Sequence, residues 1–170
     1  MSSRGATAIA MTLVLLLVQS AQAQSAVELG RLHPLGEGDL GIEGASISPD
    51  GELVIVHGKE SAIFAVNSSS PEEFSKIEWN YSRDLVDSGF HPNGQTALIV
   101  GDSGTVLRYT REQNEVEEAV DDLLLGQTNL NAVSWKGDGS WAYVGGEGGW
   151  IWRIRGIDGG GSEVIPLEGK

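Results

Sequence analysis

Apolar residues fall along this chain in paired short runs. "ELVIVH" (52–57), "QTALIV" (95–100) and "SWAYVG" (140–145) are each followed by a glycine-containing turn, "GKES", "GDSG" or "GEGG". A second run then follows: "AIFAV" (62–66), "TVLRY" (105–109) or "WIWRI" (150–154). The runs are rich in β-branched and aromatic residues, which suit a pleated, packed surface, so each predicts a strand. Strict alternation is missing. Leu53, Val54, Ile55 and Val56 are consecutively apolar, as expected of a strand whose sheet is covered on both faces.

The pairs belong to a repeat. "ISPDGELVIVHGKESAIFAV" from Ile47, "FHPNGQTALIVGDSGTVLRY" from Phe90 and "WKGDGSWAYVGGEGGWIWRI" from Trp135 align without gaps, at offsets of 43 and 45 residues. Asp50, Asn93 and Asp138 precede Gly51, Gly94 and Gly139, a turn signal in which the side chain bonds nearby backbone and glycine takes positive φ. Phe64, Leu107 and Trp152 form a further apolar column. Gly58, Gly101 and Gly146 recur where strand meets turn, and positive φ is expected in at least two of them. A strand before each Asp/Asn-Gly turn and a weaker one at the end ("SKIEW", "SEVIPL") bring each unit to four strands in about 40–45 residues, the content of a propeller blade. The chain is therefore expected to be all-β, a β-propeller of four-stranded antiparallel blades at about 42–79, 85–123 and 130–168. "AVELGRL" (about 26–32) adds an outer strand.

"VGGEGGWIWRI" looks at first like a phosphate-binding loop. No Lys-Ser/Thr follows it, and Ile151 stands where a dinucleotide fingerprint needs its third glycine. Its column identifies it as a turn, with Trp150 and Trp152 as sheet-packing residues rather than a sugar platform. The turn Ser48-Pro49-Asp50-Gly51 resembles those of WD-repeat-like and YVTN-type β-propellers. "VGDSGTVLRYT" and "VGGEGGWIWRI" are similar to the V-G-x-x-G-x-V/I repeats of photosystem II assembly-factor-type and sialidase-like propellers. The resemblance covers about 42–154 and implies a fold. Neither Gly-His nor Trp-Asp occurs, unlike in typical WD repeats, and "REQNE" replaces the end of an Asp-box, so the sialidase likeness brings no catalytic residue.

The N-terminus changes the picture of where the protein works. Arg4, an apolar run over residues 6–18 and Ala21-Gln22-Ala23 make a signal peptide over 1–23. That run is 13 residues long, about two-thirds of the ~20 needed to span a bilayer. Cleavage is expected before Gln24, giving a secreted or cell-envelope protein with no membrane insertion afterwards and one domain over 24–170. Removing Arg4 leaves 10 bases against 24 acids, a net charge of −14 rather than −13. Such a surface argues against nucleic acid and anionic lipid. With no cysteine, no disulfide can staple the fold despite the exported address.

Candidate chemistry is sparse. His33, His57 and His91 share no column, and no calcium-loop spacing occurs. No catalytic residue, metal ligand or cofactor is assigned, and the reading leans away from an enzyme. Asn67-Ser68-Ser69 and Asn80-Tyr81-Ser82 fit the glycosylation pattern. "NEVEEAVDDLLLG" is expected to be the outer strand of the second unit or a loop beside it. The glycine turns and the segments entering each first strand are expected to share one end, gathering Lys59, Glu60, Asp84, Asp102, Asn129 and Glu147 on a rim. The functional expectation is an exported binding or scaffold module for a protein or small-molecule/glycan partner. The alternatives are a hydrolase- or lyase-type enzyme with a site partly in further blades, and a structural envelope component. Three blades do not close a ring, so an incomplete propeller is expected, completed by further blades or another chain.

Overall fold

The computed structural model describes residues 39–157 and 161–167. The signal peptide (1–23) and the strand expected at 26–32 lie outside them. The described residues form three antiparallel four-stranded sheets of identical strand order. Sheet 1 comprises β1 (Ile42–Ile47), β2 (Leu53–Gly58), β3 (Ile63–Asn67) and β4 (Phe74–Lys76). Sheet 2 comprises β5 (Leu85–Phe90), β6 (Thr96–Gly101), β7 (Val106–Thr110) and β8 (Glu115–Glu118). Sheet 3 comprises β9 (Leu130–Trp135), β10 (Ala142–Gly146), β11 (Ile151–Ile157) and β12 (Gly161–Pro166). No α-helix occurs among the described residues. "NEVEEAVDDLLLG" splits into β8 and a 3-10 turn, Asp122–Leu125, which Asp121 caps through its carboxylate.

Two apolar layers hold the sheets together, with sheet 2 between the others. Ile55, Ile63 and Ala65 of sheet 1 pack on Ala97, Ile99, Leu107 and Tyr109 of sheet 2. Leu98, Val100 and Val106, on the opposite face of sheet 2, pack on Ala142, Val144, Trp152 and Ile154 of sheet 3. Both faces of β6 are thus covered, which is why its sequence does not alternate. Tyr109 is fully buried, and burial pushes its phenol pKa up. Its hydroxyl keeps a partner in Asn114 Oδ1, at 3.1 Å.

Polar links cross the same layers. Trp135 Nε1 donates to the Gly89 carbonyl at 3.0 Å, and Val133 N to Asp87 Oδ2 at 2.8 Å. Arg111, beyond β7, reaches back to Asp50 and Glu52 in the first turn of sheet 1. The Ser48 hydroxyl and then Arg111 hold the Asp50 carboxyl well below the usual carboxylate range. His91 Nε2 donates to the Gly139 carbonyl at 3.1 Å, while its Nδ1 accepts from Asn93 N at 3.1 Å.

The glycine columns divide in a way the sequence expectation did not foresee. Gly51, Gly94 and Gly139 do have positive φ, at 75°, 72° and 72°. Gly58, Gly101 and Gly146 do not: their φ values are −173°, −169° and −142°, ordinary extended backbone. They are glycine for a different reason. The first strand of each sheet carries an irregularity opposite them, between Ile42 and Gly44, Leu85 and Asp87, and across from Gly145 and Gly146. This bulge brings the carbonyls of Gly41, Asp84 and Asn129 to the space a Cβ at Gly58, Gly101 or Gly146 would occupy. Positive φ falls instead inside the turns, at Glu60, Ser103 and Gly148 and at the residue after each.

The expectation for the tryptophans divides too. Trp152 is 5% exposed within the second layer, whereas Trp150 is 51% exposed. The two rings stack at 6.1 Å. Trp150 precedes β11 at the turn, where the apolar layer has ended, so it is not the sheet-packing residue its column suggests.

Candidate functional site

The end of each sheet where its second strand turns into its third is built the same way three times. Residues Lys59–Ser61, Asp102–Gly104 and Glu147–Gly149 each form a single 3-10 turn. The glycine before each turn donates to the carbonyl just after it, at 3.0, 3.1 and 3.0 Å. The turn's first N–H donates across the bulge, to the carbonyls of Gly41, Asp84 and Asn129, each at 2.9 Å. The two positive-φ residues that follow aim their N–H groups away from their own sheet.

In sheets 1 and 2 those N–H groups are taken by the next sheet. Glu60 N donates to Asp84 Oδ1 at 3.1 Å, and Ser61 N to the Arg83 carbonyl at 2.7 Å. One sheet further on, Ser103 N donates to Asn129 Oδ1 at 2.9 Å, and Gly104 N to the Thr128 carbonyl at 2.8 Å. Asp84 and Asn129 share a column and a job, because a carboxylate and an amide both offer the accepting oxygen this latch needs.

The six candidate residues therefore divide by role. Glu60, Asp84 and Asp102 are joined into one group, since Asp84 accepts from Glu60 N with its side chain and from Asp102 N with its carbonyl. Asn129 and Glu147 form a second group, linked by Asn129 Nδ2 donating to Glu147 Oε1 at 3.2 Å and by the Glu147 N–H. Lys59 stands apart and pairs with Glu43 at 3.6 Å. Asp84 and Asn129 hold sheets together. The Asp102, Glu60 and Glu147 carboxylates remain as groups that could meet a partner.

The glycosylation acceptors also separate. Asn67 closes a turn: its Oδ1 accepts from Ser69 N at 2.9 Å and Ser70 N at 3.2 Å, and its Nδ2 donates to Glu73 at 3.4 Å. The nitrogen a glycan would need is thus engaged. Asn80 is exposed.

A cleft that sequence reasoning missed lies beside Asn80. Trp79, Tyr81 and Arg83 line one side of it, and Glu118, Asp121 and Asp122 contribute acids. The Trp79 and Tyr81 rings lie 5.2 Å apart, and Tyr81 is 58% exposed. The aromatics spaced by two in "WNYSRD" were the available signal. A segment between repeats has no column to set them against. Among the described residues, no three His, Asp or Glu side chains gather as a metal ion would require. Set against family models and against curated proteins, the chain matches none of either.

Proposed function

We propose that this chain is part of an exported β-propeller of the WD-repeat-like or YVTN-type kind. It serves as a binding or scaffold module for a protein or small-molecule/glycan partner, in the secreted or envelope compartment. The observation that supports the reading is the threefold recurrence of one four-stranded sheet with one turn shape, latched to the next sheet in sheets 1 and 2. Repetition of that kind gives a rigid platform on which exposed turn residues vary freely. The turns do vary: "GKES", "GDSG" and "GEGG" share a backbone shape and little else. The working residues in this reading are the Asp102 and Glu147 carboxylates, with Glu60 and Lys59 beside them.

The test is a glycan and peptide array probed with the full chain, followed by an Asp102→Ala/Glu147→Ala double variant on whatever ligand is captured. Binding weakened at least about tenfold, or 1.4 kcal/mol, with an unchanged melting temperature supports the rim. Equal binding by the variant removes the rim from the reading. No capture of any glycan or peptide leaves the structural alternative.

A further inference from the structure

We infer that the cleft beside Asn80 holds one neutral sugar ring, the terminal or branch residue of a glycan. The inference rests on the binding-module reading proposed above and deepens it, naming the ligand class and a place other than the turn rim.

The cleft forms where the segment joining β4 to β5 faces the end of β8 and the 3-10 turn after it. Its volume is about 230 Å³, below the ~300–1,000 Å³ of sites for drug-sized ligands. It therefore admits one ring or one side chain, not a cofactor or an extended chain. Both walls are fixed before anything binds. Trp79 packs on the apolar layer between sheets 1 and 2. Arg83 is tied at its backbone: its N–H donates to Ser61 Oγ at 3.0 Å, and its carbonyl accepts from Ser61 N at 2.7 Å. Across the cleft, Ala119 N donates to the Val106 carbonyl at 2.8 Å, and Asp121 caps the turn that carries Asp122. Walls held in this way lose little further freedom on binding.

What the walls leave unused points to the ligand class. Tyr81 is 58% exposed, its ring tilted 52° to that of Trp79 at 5.2 Å, so aromatic surface stays open. Among the described residues, no hydrogen bond engages the carboxylates of Glu118 and Asp122. Among the same residues, the Arg83 guanidinium has one long contact, to Ser103 Oγ at 3.4 Å, and no ion pair, although three acids line the same cleft. A pyranose uses all three kinds of group. Its C–H face is apolar, with slightly positive hydrogens, and suits the negative face of an aromatic ring. Its hydroxyls donate to carboxylates and accept from a guanidinium at once. Other ligands use fewer. A cation suits the rings and the acids but meets Arg83. An anion suits Arg83 but meets three carboxylates. A purely apolar group would strip water from these charges and return no hydrogen bond.

The experiment titrates the full chain with D-glucose, D-galactose, D-mannose and N-acetyl-D-glucosamine into the millimolar range. D-glucuronate and tetramethylammonium are the charged probes. Calorimetry gives the affinity, and saturation-transfer NMR shows which sugar protons touch the protein. At least one neutral sugar is expected to bind more tightly than either charged probe, with saturation concentrated on the C–H protons of one ring face. Tyr81→Ala and Asp122→Ala should each weaken it about tenfold, the scale of one stacked ring or one charge-assisted hydrogen bond. Both residues lie outside the two apolar layers, and Arg83→Gln replaces either variant that fails to fold by circular dichroism. Asn80→Gln, beside the cleft but not lining it, should bind as the wild type does, and a loss there equal to that of Tyr81→Ala overturns the inference. No binding of any of the four sugars overturns it, as does tighter binding of a charged probe. Wild-type affinity in the cleft variants overturns it too, while leaving the binding-module reading intact with its site elsewhere. That reading fails separately, when the glycan and peptide array captures nothing.

Discussion

At the scale of single residues, the glycines at 58, 101 and 146 show how one residue type answers two different demands. In the Asp/Asn-Gly turns the demand is positive φ. Opposite the bulges it is the absence of a Cβ, because a neighbouring carbonyl fills that space. Gly101→Ala should therefore cost about 1–3 kcal/mol, as overpacking does, and a urea melt will show whether the backbone can part more cheaply. Gly137 offers the opposite case. Pro49 and Pro92 hold its column in the other two turns, and a Cβ there would meet nothing within 4 Å. Gly94 N and Gly139 N close the same turn on His91 and Lys136, at 2.9 and 2.8 Å. Gly137→Pro should stabilise by about 0.4–1 kcal/mol through the unfolded chain, raising Tm by roughly 1–4 °C. His57 makes the pH prediction. It is fully buried, its Nδ1 donates to the Leu85 carbonyl at 3.2 Å, and its Nε2 has no partner. Burial pushes its pKa below the ordinary value of 6.5. The unfolded state thus takes up a proton that the folded state resists. Stability is full above about pH 6.5 and falls as pH drops toward the lowered folded value. Urea midpoints at pH 7.5 and 5.5 should differ for the wild type and converge in His57→Val, which installs the residue found in that column at Val100.

At the scale of elements, the latched turn is the unit that repeats. Asp84→Ala leaves Glu60 N without its acceptor and should cost about 0.5–1.5 kcal/mol, whereas Asp84→Asn keeps an accepting oxygen and should cost little. Chemical denaturation of both variants checks this, and equal losses would mean that the charge matters rather than the oxygen. The strands and turns themselves were legible in the sequence, because β-branched runs and Asp-Gly pairs act through backbone geometry within a few residues. The latch was not legible. Asp84 and Asn129 look like rim residues until the neighbouring turn is seen to donate to them across 24 and 26 positions of chain. Chemically different side chains doing one job do not stand out as a column.

At the scale of the whole molecule, sheet 2 is the one sheet among the described residues with another sheet packed on each face. Its fully buried β6 and β7 residues, Ile99, Val100, Val106 and Leu107 among them, should give the slowest amide exchange in the chain. Leu107→Ala should cost about 2–5 kcal/mol and lower the melting of all three sheets together, since nearest-neighbour junctions carry the stability of a repeat array. Sheet 1 or sheet 3 outlasting sheet 2 in exchange would contradict this. The address is tested at the same scale: exported protein should begin at Gln24 by intact mass.

What the sequence by itself determined was the repeat and its first turns: three units, four strands in each, and positive φ after Asp50, Asn93 and Asp138, though not the extended φ of Gly58, Gly101 and Gly146. These follow from short-range sterics and from a period that aligns without gaps. Only the tertiary structure decided which apolar columns are buried. Tyr143 and Ile151 occupy the columns of Leu98 and Val106, yet stand open because no sheet among the described residues packs on them. Trp150 looks like its neighbour Trp152 in sequence and differs from it tenfold in exposure, 51% against 5%. Burial is a relation between a residue and a surface supplied from far along the chain, and no local pattern states whether that surface is there.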